Sequence, residues 1–133
     1  MNYEDSRLSS FFRLSTDEES RFRHFKISGK ESVDIKTIDW FLKQNEINEI
    51  DLLKIDTQGY DLQVLQGASE SFRRGLIKNV YVELNFLKIY ENQADAQQIT
   101  GFLAGHSFYL VDYYEKSRHE DVLLWCNGLF TKR

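Results

Sequence analysis

The sequence predicts an α/β domain whose sheet is mostly parallel and ends in an antiparallel hairpin. Three observations lead there. From residue 50 onward, short β-rich apolar runs alternate with segments whose apolar residues recur at helical spacing. Two of those helical segments lie between strands, and a helical crossover returns the chain parallel to the strand it left. The last two strands are joined by a short charged link, which suits a hairpin.

Residues 1–21 are polar around Ser9-Ser10-Phe11-Phe12 and show no period, so they read as an irregular segment with one short helical turn. Residues 22–38 hold two alternating segments, Phe25 with Ile27 and Val33 with Ile35, about a Ser28-Gly29-Lys30-Glu31-Ser32 turn, and predict a hairpin. Thr37 caps a short helix with Asp39 in its first turn and Ile38, Phe41 and Leu42 on one face; Asn45 stops it. Ile50 to Asp56 is mostly apolar, the pattern of a strand buried on both faces. Lys54 inside it requires a charged partner, Asp56 or Glu83. The loop Asp56-Thr57-Gln58-Gly59 leads into a helix carrying Leu62, Leu65 and Phe72, ended by Arg73, Arg74 and Gly75. Ile77 to Phe86 is the next strand, centred on Val80-Tyr81-Val82. Residues 94–104 form a helix with Ile99, Phe102 and Leu103 on one face. Phe108 to Tyr114 is a third strand, residues 115–121 a charged turn, and Val122 to Phe130 a fourth strand interrupted near Asn127-Gly128.

Composition bounds the function. A chain of 133 residues suits one domain, 1–133, and aromatic residues at 14% supply a core without staples. A net charge of −4 gives no general attraction to phosphate backbones, which argues against nucleic acid. No apolar run approaches a membrane span, and the N-terminus lacks a signal peptide's apolar region; the expectation is a cytoplasmic protein. Cys126 has no partner for an internal disulfide and reads as a small core residue; Trp40 and Trp125 read as core. His24, His106 and His119 are not at ligand spacing, so no metal is expected.

The strand and helix order from residue 50 looks like the C-terminal portion of the Rossmann-like class I S-adenosylmethionine-dependent methyltransferase fold. The stretch Asp51-Leu52-Leu53-Lys54-Ile55-Asp56-Thr57-Gln58-Gly59-Tyr60-Asp61-Leu62-Gln63-Val64-Leu65-Gln66-Gly67-Ala68 resembles the FkbM family of methyltransferases. Thr37-Ile38-Asp39 resembles that family's Thr-Leu-Asp segment, Val80-Tyr81-Val82-Glu83 its next strand, and Ser9-Ser10 a pair it often carries. One departure is Gln58, where the family usually has Glu. The strand Leu52 to Asp56 is also similar to one of the cyclic-dinucleotide phosphodiesterase barrels, but their Glu-Ala-Leu signature is absent and the chain is too short for a barrel.

The resemblance implies S-adenosyl-L-methionine as cofactor and methyl transfer to an oxygen of a small-molecule or glycan-like substrate. It also implies a glycine-rich loop for the cofactor, and the seven glycines here are scattered, so the cofactor-binding residues are unknown. The alternative is a non-catalytic module, truncated or completed by a partner. In the family's sheet the strand ending at Asp56 lies beside a strand this segment lacks. Its open edge would be covered by the 22–38 hairpin, by another copy of the chain in a homo-oligomer, or by an N-terminal half.

Asp56 and Glu83 end adjacent parallel strands, where open α/β sheets bind ligands, and are the expected catalytic carboxylates. The competing readings are a loop-closing Asx turn for Asp56 and an ion pair with Lys54 or Lys88 for Glu83. Gln58, Tyr60 and Asn85, in the loops beyond those strands, are the expected substrate-binding residues; ordinary loop positions are the competing reading.

Overall fold

The computed structural model describes residues 1–15 and 24–133. Near the N-terminus a short strand β1 (Asn2–Tyr3) is followed by a 3-10 turn (Ser6–Leu8), and β2 (Ile27–Gly29) pairs antiparallel with β1. There follow α1 (Ile38–Gln44), β3 (Leu53–Ile55), α2 (Asp61–Gln66), α3 (Ser69–Arg73), β4 (Asn79–Asn85), α4 (Ala96–Gly105), β5 (Phe108–His119) and β6 (Val122–Lys132). The main sheet has the order β3-β4-β6-β5, with β3 parallel to β4 and β6 antiparallel to both its neighbours. The α/β class and the closing hairpin are as the sequence predicts.

One face of this sheet is packed by helices. Ile55, Val80, Val82, Leu84, Cys126 and Phe130 point to that face and are buried with Leu65 of α2, Phe72 of α3 and Ile99 and Leu103 of α4. Their alternation along β4 is the period of two that a one-sided sheet requires. Gly128 lies opposite Val82, and a Cβ there would come within 2.7 Å of the Phe130 ring and 2.9 Å of Leu84. The glycine gives those two side chains their space, so the expected interruption at Asn127-Gly128 is instead an unbroken strand.

Four other expectations are corrected. The 22–38 hairpin does not form in the described residues (22 and 23 lie outside them): β2 pairs with β1, and Val33 and Ile35 stay exposed with no partner strand to bury their alternation. The helix after β3 is two helices, broken at Gly67-Ala68, because α1 docks there: the Asp39 N–H donates to the Gly67 carbonyl at 3.0 Å. The charged stretch 115–121 is mostly strand, with β5 running to His119 through irregular register near Glu115, whose φ is 49°. Finally, β3 is buried on one face alone. Ile55 faces the core, Lys54 is exposed, and among the described residues no strand pairs with its outer edge.

Asp39 does more than charge a first turn. Thr37 caps α1 by accepting from the Trp40 N–H at 3.1 Å. The Asp39 carboxylate reaches across to α3, accepting the N–H groups of Glu70 at 2.9 Å and Ser71 at 2.8 Å and the Ser71 hydroxyl. It thus serves as the N-terminal cap of a helix thirty residues away, satisfying donors that a helix start leaves orphaned. Trp40, expected in the core, stands 46% exposed beside Lys36 instead.

Candidate active site

The register of the sheet builds the site. Ile55 is opposite Val82, so the next residues, Asp56 and Glu83, continue the same pairing onto the face without helices. Glu83 pairs with Asn127 and Asn127 with Tyr114, giving one polar row across all four strands at the carboxyl ends of β3 and β4. Adjacent strands are about 5 Å apart, which brings the two carboxylates to one cleft. A cavity of about 390 Å³ opens there, lined among others by Arg7, Asp56, Gln58, Glu83, Trp125 and Asn127. A second cavity of about 320 Å³, lined by Ser9, Ser10, Phe11 and Val33, shares Asp56 and Gln58 with the first.

Asp56 does not close the loop that follows it. That role falls to Asp61, which sequence reasoning missed. The buried Asp61 carboxylate accepts the Thr57 N–H at 3.0 Å, the Thr57 hydroxyl at 3.0 Å and the Gly59 N–H at 3.2 Å. Burial raises its pKa, opposed by those hydrogen bonds. Its signal in the sequence was weak: an Asp in the first helical turn, four residues after a Thr. Asp56 is thereby left half-exposed in the cavity wall, with Lys54 at 3.6 Å.

Glu83 is half-buried and accepts from Asn85 Nδ2 at 2.9 Å, not from Lys54 or Lys88. Burial raises its pKa; the Asn85 bond opposes this, and the negative charges of Asp61 and Asp56 add to it. Asn85 is itself buried beside Glu83, and its side-chain carbonyl oxygen has no partner among the described residues. Glu115, on the bulged part of β5, accepts from Asn127 Nδ2 and from the Tyr81 hydroxyl at 3.4 Å.

The loop after β3 is strained and pinned. Gln58 has φ 51° and Gly59 φ 91°. A Cβ on Gly59 would meet the Tyr90 ring at 2.9 Å, so only glycine fits both the backbone and the ring. Gln58 donates through Nε2 to Asp56 Oδ1 at 3.0 Å, while its Oε1 accepts from the Tyr90 hydroxyl at 3.0 Å. The Ser10 hydroxyl donates to the Gln58 carbonyl at 2.6 Å. Tyr60 packs against Phe11 and Phe12, with ring centroids 4.7 and 5.3 Å away, and ties the same N-terminal segment to α2. Tyr90 is buried, and its pKa lies well above the ordinary value, first from burial and then from the surrounding negative charges, so it remains a proton donor. Neither Tyr90 nor Trp125 had a signal as a site residue: Trp125 reads as core from its apolar neighbours, yet it lines the cavity.

The row of carboxylates and amides lies at the strand ends of an α/β sheet, the place where open α/β sheets hold ligands, and two adjoining cavities meet at Asp56 and Gln58. The chain belongs to the methyltransferase FkbM domain family, whose pattern matches residues 2–110. It is 27% identical over 117 residues to a 2-O-methyltransferase, NoeI, of Sinorhizobium fredii (strain NBRC 101917 / NGR234). That match covers 88% of this chain and 46% of the relative, so the chain spans less than half the length of the curated relative it matches. No solved structure matches it. Among the described residues, no helix is long and apolar enough to cross a membrane, and no three His, Cys, Asp or Glu group to hold a metal ion.

Methyltransferase membership raises S-adenosylmethionine as the methyl source. Three of the seven glycines are closed to it. Gly59 is shut against Tyr90, Gly128 is packed under Phe130 and Leu84, and Gly75 ends α3 beside Lys132. None of these three gives the cofactor a close approach to the backbone.

Proposed function

We propose that this chain supplies the acceptor side of an S-adenosylmethionine-dependent O-methyltransferase acting on a hydroxyl-rich small molecule or glycan. The observation that carries the reading is the position of Asp56, shared by two adjoining cavities, as transfer between two bound molecules requires. The cleft on the Glu83 side holds Asp5, Asp56, Glu83 and Glu115 against Arg7, a balance that disfavours phosphates and favours neutral polyols. Trp125 offers a flat apolar surface beside Asn127, a combination suited to a sugar ring and its hydroxyls. S-adenosylmethionine would supply the methyl group. In this reading the Asp56 carboxylate accepts the proton of the attacking hydroxyl, Glu83 orients that hydroxyl or its neighbour, and Asn85 holds Glu83.

The test is transfer of labelled methyl from S-adenosylmethionine to a panel of methyl glycosides, with binding of S-adenosylmethionine measured by calorimetry and the mass in solution alongside. Wild type is expected to transfer label, and Asp56→Asn to reduce the rate by about 10²–10⁴, the usual contribution of a general base. A folded chain that binds the cofactor but methylates no hydroxylated acceptor refutes the O-methyl reading. A second reading, a partner-completed module without activity of its own, is favoured by the three closed glycines and by the open edge of β3. Failure of the folded chain to bind S-adenosylmethionine would select it.

A further inference from the structure

Both ends of the Gln58 side-chain amide have a partner inside the chain. A carboxylate accepts and does not donate, so the Gln58 group 3.0 Å from Asp56 Oδ1 must be the NH₂ end of its amide. That fixes the carbonyl end toward Tyr90, whose hydroxyl lies 3.0 Å away and has Leu8's carbonyl at 3.2 Å as its other neighbour. The backbone of Gln58, in the left-handed region, is clamped by Ser10. Tyr90 is buried among Tyr3, Leu8 and Leu14, so the chain from N-terminal segment to Tyr90 to Gln58 to Asp56 has a rigid origin.

We propose that Gln58 is a positioning residue, which with Tyr90 behind it holds the Asp56 carboxylate in one orientation at the wall shared by the two cavities. The inference rests on the proposed acceptor-side role of Asp56. Where the family usually carries Glu, this chain has a neutral amide. It donates to Asp56, whereas a carboxylate of the same length would place two acceptors 3.0 Å apart, and one of them would have to bind a proton. Among the described residues, the other charged or titratable groups around Asp56 are Lys54 on β3, Glu83 on β4, Asp61 on α2, Glu115 on β5, Glu31 and the Met1 amino group in the second cavity, Asp5 and Arg7 near the N-terminus, and Tyr90 itself.

The test uses Gln58→Glu, nearly isosteric, and Tyr90→Phe, which removes only the hydroxyl. The titration of the Asp56 side-chain carboxyl is followed by carbon NMR in the 133-residue chain, and the pH–rate profile of methyl transfer is recorded beside it. In Gln58→Glu the Asp56 titration should become coupled to the new carboxyl, and its midpoint should move up by about one unit or more. In Tyr90→Phe it should move up by less. An unmoved titration in a folded Gln58→Glu chain overturns the inference. If the titration moves and the acidic limb of the rate profile moves with it, both the positioning role and the role of Asp56 stand. A titration that moves while the rate profile does not confirms that Gln58 holds Asp56 and refutes Asp56 as the proton acceptor.

Discussion

Replacing Asp39 by Ala isolates a device that links two helices without touching the cleft. The carboxylate accepts two backbone N–H groups at the start of α3 and the hydroxyl of Ser71, which is 2% exposed. Loss of a helix cap costs about 1 kcal/mol. A buried hydroxyl left without its partner adds about 1–3 kcal/mol. Asp39→Ala should therefore destabilise the chain by about 2–4 kcal/mol, a large share of the roughly 5–15 kcal/mol typical of a domain. Urea unfolding at neutral pH measures it, with the midpoint falling by about 1–2 M at unchanged slope. Thr37→Ala, which removes one local cap, should lose only about 1 kcal/mol. If Asp39→Ala loses no more than Thr37→Ala, the long-range cap is not what holds α1 to α3. Since neither residue lines either cavity at Asp56, the Thr-Ile-Asp segment is predicted to act on stability alone.

Two further substitutions test the sheet and the cleft. Gly128→Ala forces a Cβ against Phe130 and Leu84, both buried, and should cost about 1–3 kcal/mol in urea unfolding; a neutral effect would mean that those side chains repack freely. Glu83 has its pKa raised in the folded chain, so the folded state binds its proton more tightly than the unfolded one. Its contribution is fully present below the unfolded pKa and is lost as pH rises through the folded value. Relative to wild type, Glu83→Gln should accordingly gain stability as pH rises through that window, and a gap that stays constant across the carboxylate range would contradict the buried environment assigned to Glu83.

The sequence was most legible where one physical period dominates. The β-rich centre Val80-Tyr81-Val82 marks β4, and Ile99, Phe102 and Leu103 at helical spacing mark α4. Parallel crossover placed Asp56 and Glu83 at neighbouring strand ends before any register was known. Elements decided by distant partners were not legible. Nothing local in Ser69-Glu70-Ser71 reveals that Asp39 starts a new helix there, so one helix was expected where two exist. Phe25, Ile27, Val33 and Ile35 have a hairpin's alternation, but β1 takes the bonds of β2. In the site, Tyr90 became relevant only through its reach to Gln58 across thirty-two positions, which no spacing rule detects.

The place of β6 has a consequence for how the molecule is made. It follows β5 in the chain, yet it lies between β4 and β5 and forms ladders with both. Among the described residues β5 pairs with β6 alone, so during synthesis it has none of these strands to bond until residues 122–132 emerge. The centre of this sheet is therefore closed after its flanks, and until then, among the described strands, β4 has one unpaired edge and β5 two. A ribosome stalled before Val122 would hold a nascent chain with its helices formed, its acidic cleft lacking Trp125 and Asn127, and its strands open to passing chains.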